Sequence, residues 1–255
     1  FLVLLFTATA RADLDTTKID SFFSWLKQTE SNFSSCKIEL KNNFLVLCDN
    51  TKVSKDVLTL LAQKKPAEIE KFLIEKGIST KKICNASKTD CSPADSKIQQ
   101  TMTNLHGLYN PAENSITFKE GSSSGVLIHE YIHFLQTRNE NPVNGKVYKK
   151  SRNEIQKQIN AELDNLEMKI VKAQKSKNNI EMMRHTQELM KINNYMIEFG
   201  KWQDLVDERS IFLLYRDHGH SLGLAQSDID FAVKKLSALC ENSKLRSILP
   251  DCNYK

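Results

Sequence analysis

Glycine, proline and charge of one sign are what this 255-residue chain has little of. It contains 8 glycines, roughly 3% where about 7% is usual, and 5 prolines. Because these residues interrupt helices, their scarcity predicts long helices and a mainly α (α+β) fold. The net charge is only +5, from 36 basic and 31 acidic side chains that are spread along the chain. That balance excludes a dedicated nucleic-acid binder, which concentrates its basic residues.

A second absence is an apolar run long enough to cross a bilayer. The apolar run at the start extends only from Phe1 to Phe6, and Ala10-Arg11-Ala12 follows in the small-x-small order that signal peptidases cut. We therefore expect residues 1–12 to be the remnant of a signal peptide. The expected protein has no transmembrane segment and is exported, either periplasmic or extracellular.

The six cysteines agree with export, because thiols usually pair in an oxidising compartment. The close CxxC-type spacing of a thiolate zinc site is absent. Proximity favours three local disulfides over the other connectivities that six cysteines allow. The predicted pairs are Cys36 with Cys48, Cys84 with Cys91, and Cys240 with Cys252.

The first third of the chain, residues 13–95, is expected to form an N-terminal cap pinned by disulfides. Apolar residues at helical spacing predict a helix over residues 15–31 and two short helices, Ser54–Lys64 and Pro66–Lys76. Between Cys36 and Cys48, a turn centred on Asn42 predicts a β-hairpin. This region shows no group of residues that suggests a reaction.

The remainder, residues 96–255, is expected to form a second domain that carries the chemistry. The patterns predict in turn a small antiparallel sheet, a buried helix, a long helical hairpin, a further helix, a loop and a last helix capped by Ser227 or Asp228. These elements are assigned to residues 105–118, to VLIHEYIHFLQ, to 146–199 with a turn near 175–179, to 202–215, to DHGHSLG, and to 227–240.

One motif stands out, His129-Glu130-Tyr131-Ile132-His133. On a helix, positions i and i+4 share one face, so the two imidazoles can converge on one ion, for which Zn²⁺ is the natural choice. Glu130 is turned about 100° from His129, where it can take a proton from a metal-bound water and pass it to a leaving amine. A chain of this composition contains such a motif by chance roughly 1% of the time. The alternative is that the histidines are ordinary core residues or that the match is accidental.

With its surroundings, this motif resembles the active-site region of the zincin metallopeptidases. The resemblance rests on Tyr109-Asn110-Pro111, on Ile116-Thr117-Phe118 and on HEYIHFLQ, and it covers roughly residues 105–165. It implies that His129 and His133 are zinc ligands, that Glu130 is the general base and acid, and that an edge strand near residues 116–118 holds an extended peptide. The third His of the metzincin signature is missing. In this respect the chain resembles the gluzincins, whose third ligand is a Glu on a later helix.

Two glutamates compete for the position of third ligand. On a helical wheel that starts at Ile155, the stripe formed by Ile159, Leu166 and Ile170 includes Glu162, and a carboxylate in a buried stripe needs a partner. Glu208 is the alternative, since Leu205, Ile211 and Phe212 flank it at helical spacing. We favour Glu162 on this evidence. The available donors to a developing oxyanion are Tyr195, Tyr215, His218 and His220, and the sequence does not choose among them.

The resulting prediction is an enzyme, an exported zinc metallopeptidase with a peptide or protein substrate. Its predicted site consists of His129, His133 and Glu162 as metal ligands and Glu130 as the catalytic residue. The alternative is a catalytically inactive zincin-like module that binds or supports the cell envelope. The lysine-rich face of residues 146–178 is expected to be a solvated surface, with attraction to the cell envelope as the second interpretation.

Overall fold

The computed structural model describes residues 34–83, 106–111, 113–138 and 146–241, together with Arg246, Leu249 and Cys252. The predicted signal peptide, the predicted helix at 15–31 and the Cys84–Cys91 pair lie outside these residues. The fold is mainly helical with two small sheets, which confirms the predicted class. The described strands are β1 Glu39–Lys41, β2 Phe44–Val46, β3 Lys52–Ser54, β4 Ser79–Ile83, β5 Gly107–Asn110 and β6 Ser115–Lys119. The described helices are α1 Lys55–Ala62, α2 Pro66–Glu75, α3 Ser124–Arg138, α4 Lys146–Lys175, α5 Asn179–Trp202, α6 Arg209–Leu222 and α7 Gln226–Leu239, with a π-helical turn at Gln203–Glu208.

The first sheet contains the predicted hairpin. Strands β1 and β2 pair antiparallel around Asn42 and Asn43, whose φ angles of 47° and 64° suit asparagine better than most side chains. A disulfide joins Cys36 to Cys48 with their Cα atoms 5.5 Å apart, as predicted. Strand β3, which the sequence did not predict, adds a third antiparallel strand.

The second sheet lies beside the helix that bears the motif. Its order is β4-β6-β5, with β5 antiparallel and β4 parallel to the central strand β6. The antiparallel pair β5–β6 confirms the predicted sheet. Residues 116–118 were expected in an edge strand, but they lie in the central strand β6, because β4 pairs with the side of β6 that β5 leaves open. The edge of this sheet next to helix α3 is therefore β5.

The chain divides into two compact units. One unit contains residues 150–200, and the other contains the described residues of 34–149 and 201–252. Strand β4 and helices α1 and α2, which were expected in a separate cap, pack with the second sheet and with α3. Aromatic contacts join these parts, since the Phe72 ring meets the Tyr131 ring edge-on with centroids 5.4 Å apart.

Helices α4 and α5 make up most of the other unit. They are joined by a turn at residues 176–178, where the sequence predicted it. The predicted buried stripe of α4 is confirmed at Ile159 and Leu166, and Asp164 and Glu167 are exposed as expected. Among the helices that the structure describes, none has both the length and the apolarity to cross a membrane.

The predicted loop DHGHSLG is helical as far as Leu222. Gly219 lies inside α6 because α7 crosses there: a Cβ on this glycine would come within 2.7 Å of the Ile229 side chain. The helix ends instead at Gly223, whose φ of 80° is the left-handed conformation that glycine tolerates. The glycine between the two histidines is therefore explained by the close packing of α6 and α7 and not by a loop.

The start of the last helix also differs from the prediction. Its N-cap is Ala225, without a side-chain bond, so neither Ser227 nor Asp228 caps it. The Asp228 carboxylate instead accepts a hydrogen bond of 2.6 Å from the Ser123 hydroxyl, next to the start of α3. A disulfide between Cys240 and Cys252 follows the helix, as predicted, with Cα atoms 5.3 Å apart.

Candidate metal centre

Helix α3 brings the two motif histidines together. It is apolar on almost every side and packs against α1, α2 and β5, so its polar residues need partners inside the protein. The Nε2 atoms of His129 and His133 lie 3.0 Å apart, with the ring planes 76° from parallel. The i, i+4 spacing thus gives the convergence that the sequence predicted.

Glu208 completes the group. Its Oε2 lies 3.2 Å from Nε2 of His129, and its Oε1 lies 3.1 Å from Nε2 of His133. Ligand atoms about 2.0–2.1 Å from a tetrahedral ion stand roughly 3.3–3.4 Å apart, so these separations are close to those of a metal site. Among the described residues, His129, His133 and Glu208 are the group that could hold a metal ion.

The chain reaches Glu208 through an unusual turn. Residues 203–208 form a π-helix, a conformation that occurs mostly as single turns and often at functional sites. From Glu208 onward, positions i, i+4 and i+7 face His129: the Phe212 ring lies 5.4 Å from the imidazole, centre to centre, and the Tyr215 ring lies 6.3 Å away. This spacing is the signal in the sequence that points to Glu208.

Glu162, which the helical wheel favoured, does not belong to this group of described residues. It lies half-buried on α4 in the other compact unit, where its carboxylate accepts a hydrogen bond of 3.1 Å from Asn165. The wheel correctly placed it near a buried stripe, but a half-buried carboxylate with a neighbouring amide needs no metal. We therefore replace Glu162 by Glu208 as the candidate third ligand.

The charges in the group are strongly coupled. Burial lowers the pKa of His133, but the charge and hydrogen bond of the Glu208 carboxylate, together with the charges of Glu130 and Asp207, outweigh burial and raise that pKa to about 9. For the Glu208 carboxyl, burial alone would raise the pKa, but His133 and His129 hold this pKa well below its ordinary range. Without a metal, the group is thus a hydrogen-bonded ion pair, and a cation would take the place of a proton.

Glu130 is buried beside the group, with 5% of its surface exposed. Its carboxylate accepts a hydrogen bond from the backbone N–H of Tyr109 on β5. Gly107 on the same strand leaves room for it, since a Cβ there would lie 2.7 Å from Oε1 of Glu130. Burial raises the pKa of Glu130, which the nearby histidines only partly offset. A raised pKa makes the carboxylate a stronger base than a solvent-exposed one, which suits proton transfer.

The four residues proposed as oxyanion donors lie in different surroundings. The Tyr215 hydroxyl is buried and donates a hydrogen bond of 2.6 Å to the carbonyl of Gly125. Burial, together with the charges of Asp228 and Glu130, raises its pKa, so it remains a neutral donor. Tyr195 lies on α5 with the Lys191 ammonium 5.7 Å from its ring centre, whereas His218 and His220 lie on α6. The contact with His129 distinguishes Tyr215.

Gln136 is a residue of the site that the sequence analysis missed. It is fully buried, and its Oε1 lies 2.8 Å from Nδ1 of His133. Its spacing of three residues from His133, within the same buried helix, is the signal that could have identified it.

Comparisons with known proteins do not add to this geometry: no protein-family model matches the chain, and no match was found among the curated proteins or the solved structures searched. The arrangement itself therefore carries the functional argument. Two imidazoles and a carboxylate could hold a metal ion, and a buried acid lies beside them.

Proposed function

We propose that this protein is an exported, zinc-dependent metallopeptidase of the zincin type. In this proposal His129, His133 and Glu208 hold the ion, and Glu130 moves the protons. The observation that supports it most is the position of Glu208, which joins a carboxylate to two imidazoles one helical turn apart.

The donor set favours zinc in a catalytic role. Two His nitrogens and one carboxylate are a ligand set of catalytic zinc sites, which keep a fourth position open, whereas structural sites are usually closed by four protein ligands. Among the described residues, this group has three members. A zinc ion held there would act as a Lewis acid, able to polarise a carbonyl and to make a water molecule more acidic.

Glu130 has the properties that proton transfer requires. It takes the proton of the attacking water and delivers it to the amine that leaves when the peptide bond breaks. Its hydrogen bond to Tyr109 N–H and the space at Gly107 orient the carboxylate next to strand β5. A metal group kept only for stability would need the two histidines but not this buried acid.

Two further features support export. Disulfides join Cys36 to Cys48 and Cys240 to Cys252, and such bonds persist mainly in oxidising compartments. A peptide or protein substrate is part of the same proposal.

The decisive experiment is Glu130→Gln in the full chain. We expect this variant to retain one zinc per molecule, measured by metal analysis, and to lose cleavage of a denatured protein mixture by about 10²–10⁴-fold. Glu113→Gln, at an exposed turn beside Lys81, is the matched control and should cleave like the parent. A Glu130→Gln variant as active as the parent would show that the proposed general base is wrong. A parent that binds zinc but cleaves nothing would leave the inactive module as the better interpretation.

A further inference from the structure

The side chain of Gln136 contacts both segments that carry metal-ligand candidates. Its oxygen faces His133 on α3, and its Nε2 donates to the carbonyl of Asp207, at 3.3 Å, and to the hydroxyl of Ser210, at 3.1 Å. Asp207 directly precedes Glu208. One amide therefore joins the imidazole of one ligand to the backbone next to another.

The hydrogen bonds in this network determine one another's direction. A carbonyl oxygen only accepts, so the amide nitrogen of Gln136 must face Asp207 and the amide oxygen must face His133. The Ser210 hydroxyl donates to the same carbonyl at 2.9 Å and accepts from Gln136. The proton between Gln136 and His133 must then lie on Nδ1 of the imidazole, which directs Nε2 toward Glu208.

Burial makes each hydrogen bond of this network hard to replace. Gln136 and Ser210 are fully buried, so water cannot replace a lost partner, and an unsatisfied amide would cost about 1–3 kcal/mol. Partners of this kind hold the tautomer and ring orientation of metal-bound histidines, and their loss typically weakens metal binding by about 10–100-fold.

We infer that Gln136 is a positioning residue of the metal centre, which sets the tautomer of His133 and holds the π-helical turn that presents Glu208. The inference rests on the proposed function, because it assumes that the group binds zinc. It adds a residue outside the HExxH motif, whose role is to act through two ligands rather than to touch the ion.

The test measures zinc affinity by competition with a chromophoric chelator. Gln136→Met, of similar size but without hydrogen bonds, should bind zinc about 10–100-fold more weakly than the parent. Gln136→Glu keeps an acceptor for Nδ1 but loses the N–H that bonds the Asp207 carbonyl, so it should recover part of that loss. Ser210→Ala should cause a smaller loss. Thr137→Val is the matched control and should bind zinc like the parent, because its hydroxyl bonds the Phe134 carbonyl instead.

A spectroscopic signature separates positioning from general stability. In zinc-loaded protein with ¹⁵N-labelled histidines, NMR should show a slowly exchanging proton on Nδ1 of His133. This signal should be lost in Gln136→Met and kept in Gln136→Glu. A parent without this proton would overturn the inference, even if Gln136→Met failed to fold.

The remaining outcomes distinguish the two proposals. Unchanged affinity in Gln136→Met, or a folded Gln136→Glu that binds no better than Gln136→Met, would overturn the inference alone. Absence of zinc from the parent would overturn the proposed function and this inference with it. A parent that binds zinc without cleaving proteins would remove the peptidase and leave the role of Gln136 intact.

Discussion

Helices α3 and α4 differ in how their polar residues are satisfied. In α3, Glu130 and Gln136 are buried, and both take partners from other segments of the chain. In α4, the described carboxylates of Asp164 and Glu167 are exposed, and that of Glu162 pairs with a neighbour on its own helix. Buried polar residues identify a site because they must be satisfied by protein, whereas residues on an open helix can turn to water.

The sharpest test of this comparison exchanges a carboxylate for an amide on each side. Glu208→Gln should weaken zinc binding about a thousandfold, because one of three ligands then lacks its charge and zinc sites bind with about 10–16 kcal/mol in total. Glu162→Gln should leave the affinity unchanged. Titration against a chelator measures both, and the reverse result would restore Glu162 as the third ligand.

The second expected effect is a pH dependence of the metal-free protein. Burial lowers the pKa of His133, but Glu208, together with the charges of Glu130 and Asp207, raises it from an ordinary 6.5 to about 9. Protonation of His133 therefore stabilises the fold fully below pH 6.5, and that effect is lost as the pH rises through 9. The contribution is on the order of 3 kcal/mol. Thermal unfolding in a chelator, from pH 6 to 9.5, should show a falling midpoint in the parent.

Glu208→Gln is the control for this dependence. Without the carboxylate, the pKa of His133 should be lower, and the midpoint of thermal unfolding should change much less over the same pH range. In the parent, zinc must displace the proton that Glu208 holds on His133. The zinc affinity of the parent should therefore increase between pH 6 and 9. A flat affinity would contradict the ion pair.

A smaller effect is expected at Gly107. In Gly107→Ala, the new Cβ would lie 2.7 Å from Oε1 of Glu130 and 2.9 Å from Val126, so the carboxylate must shift. A misplacement of about 1 Å can lower turnover by up to about 100-fold, and we expect a loss of about tenfold in peptide cleavage. Zinc affinity should stay that of the parent, which would separate proton transfer from metal binding.

The smallest expected effects compare two helical glycines. Gly219→Ala brings a Cβ within 2.7 Å of Ile229, and the resulting overpacking should destabilise the fold by about 1–2 kcal/mol. Gly200→Ala meets nothing within 4 Å and should stabilise it by about 0.5–1 kcal/mol through helix propensity. Chemical denaturation measures both. Equal changes would contradict the difference in crowding.

The fold was predictable where its signals are local. The scarcity of helix breakers and the apolar spacing predicted α1 to α5 and the turn at residues 176–178. Strand β4 was missed because most of its side chains are exposed and its parallel partner follows more than thirty residues later. The end of α6 was misplaced because Gly219 serves a contact with α7, which only the folded chain shows.

The candidate site divides in the same way. His129, Glu130 and His133 lie within five residues, so helical geometry alone was enough to predict their convergence. Glu208 lies 75 residues beyond His133, and its choice over Glu162 depends on how α6 packs against α3. A helical wheel describes one helix at a time, so it identified a buried stripe but not its neighbour.

The π-helical turn before Glu208 has a consequence for related chains. Each of its hydrogen-bonded turns encloses one residue more than an α-helical turn does. A homologue one residue shorter between positions 203 and 207 could therefore close the segment as ordinary α-helix and still offer the same carboxylate. A change in length at this point should be tolerated, whereas Glu208, Phe212 and Tyr215 should remain on one face of the helix.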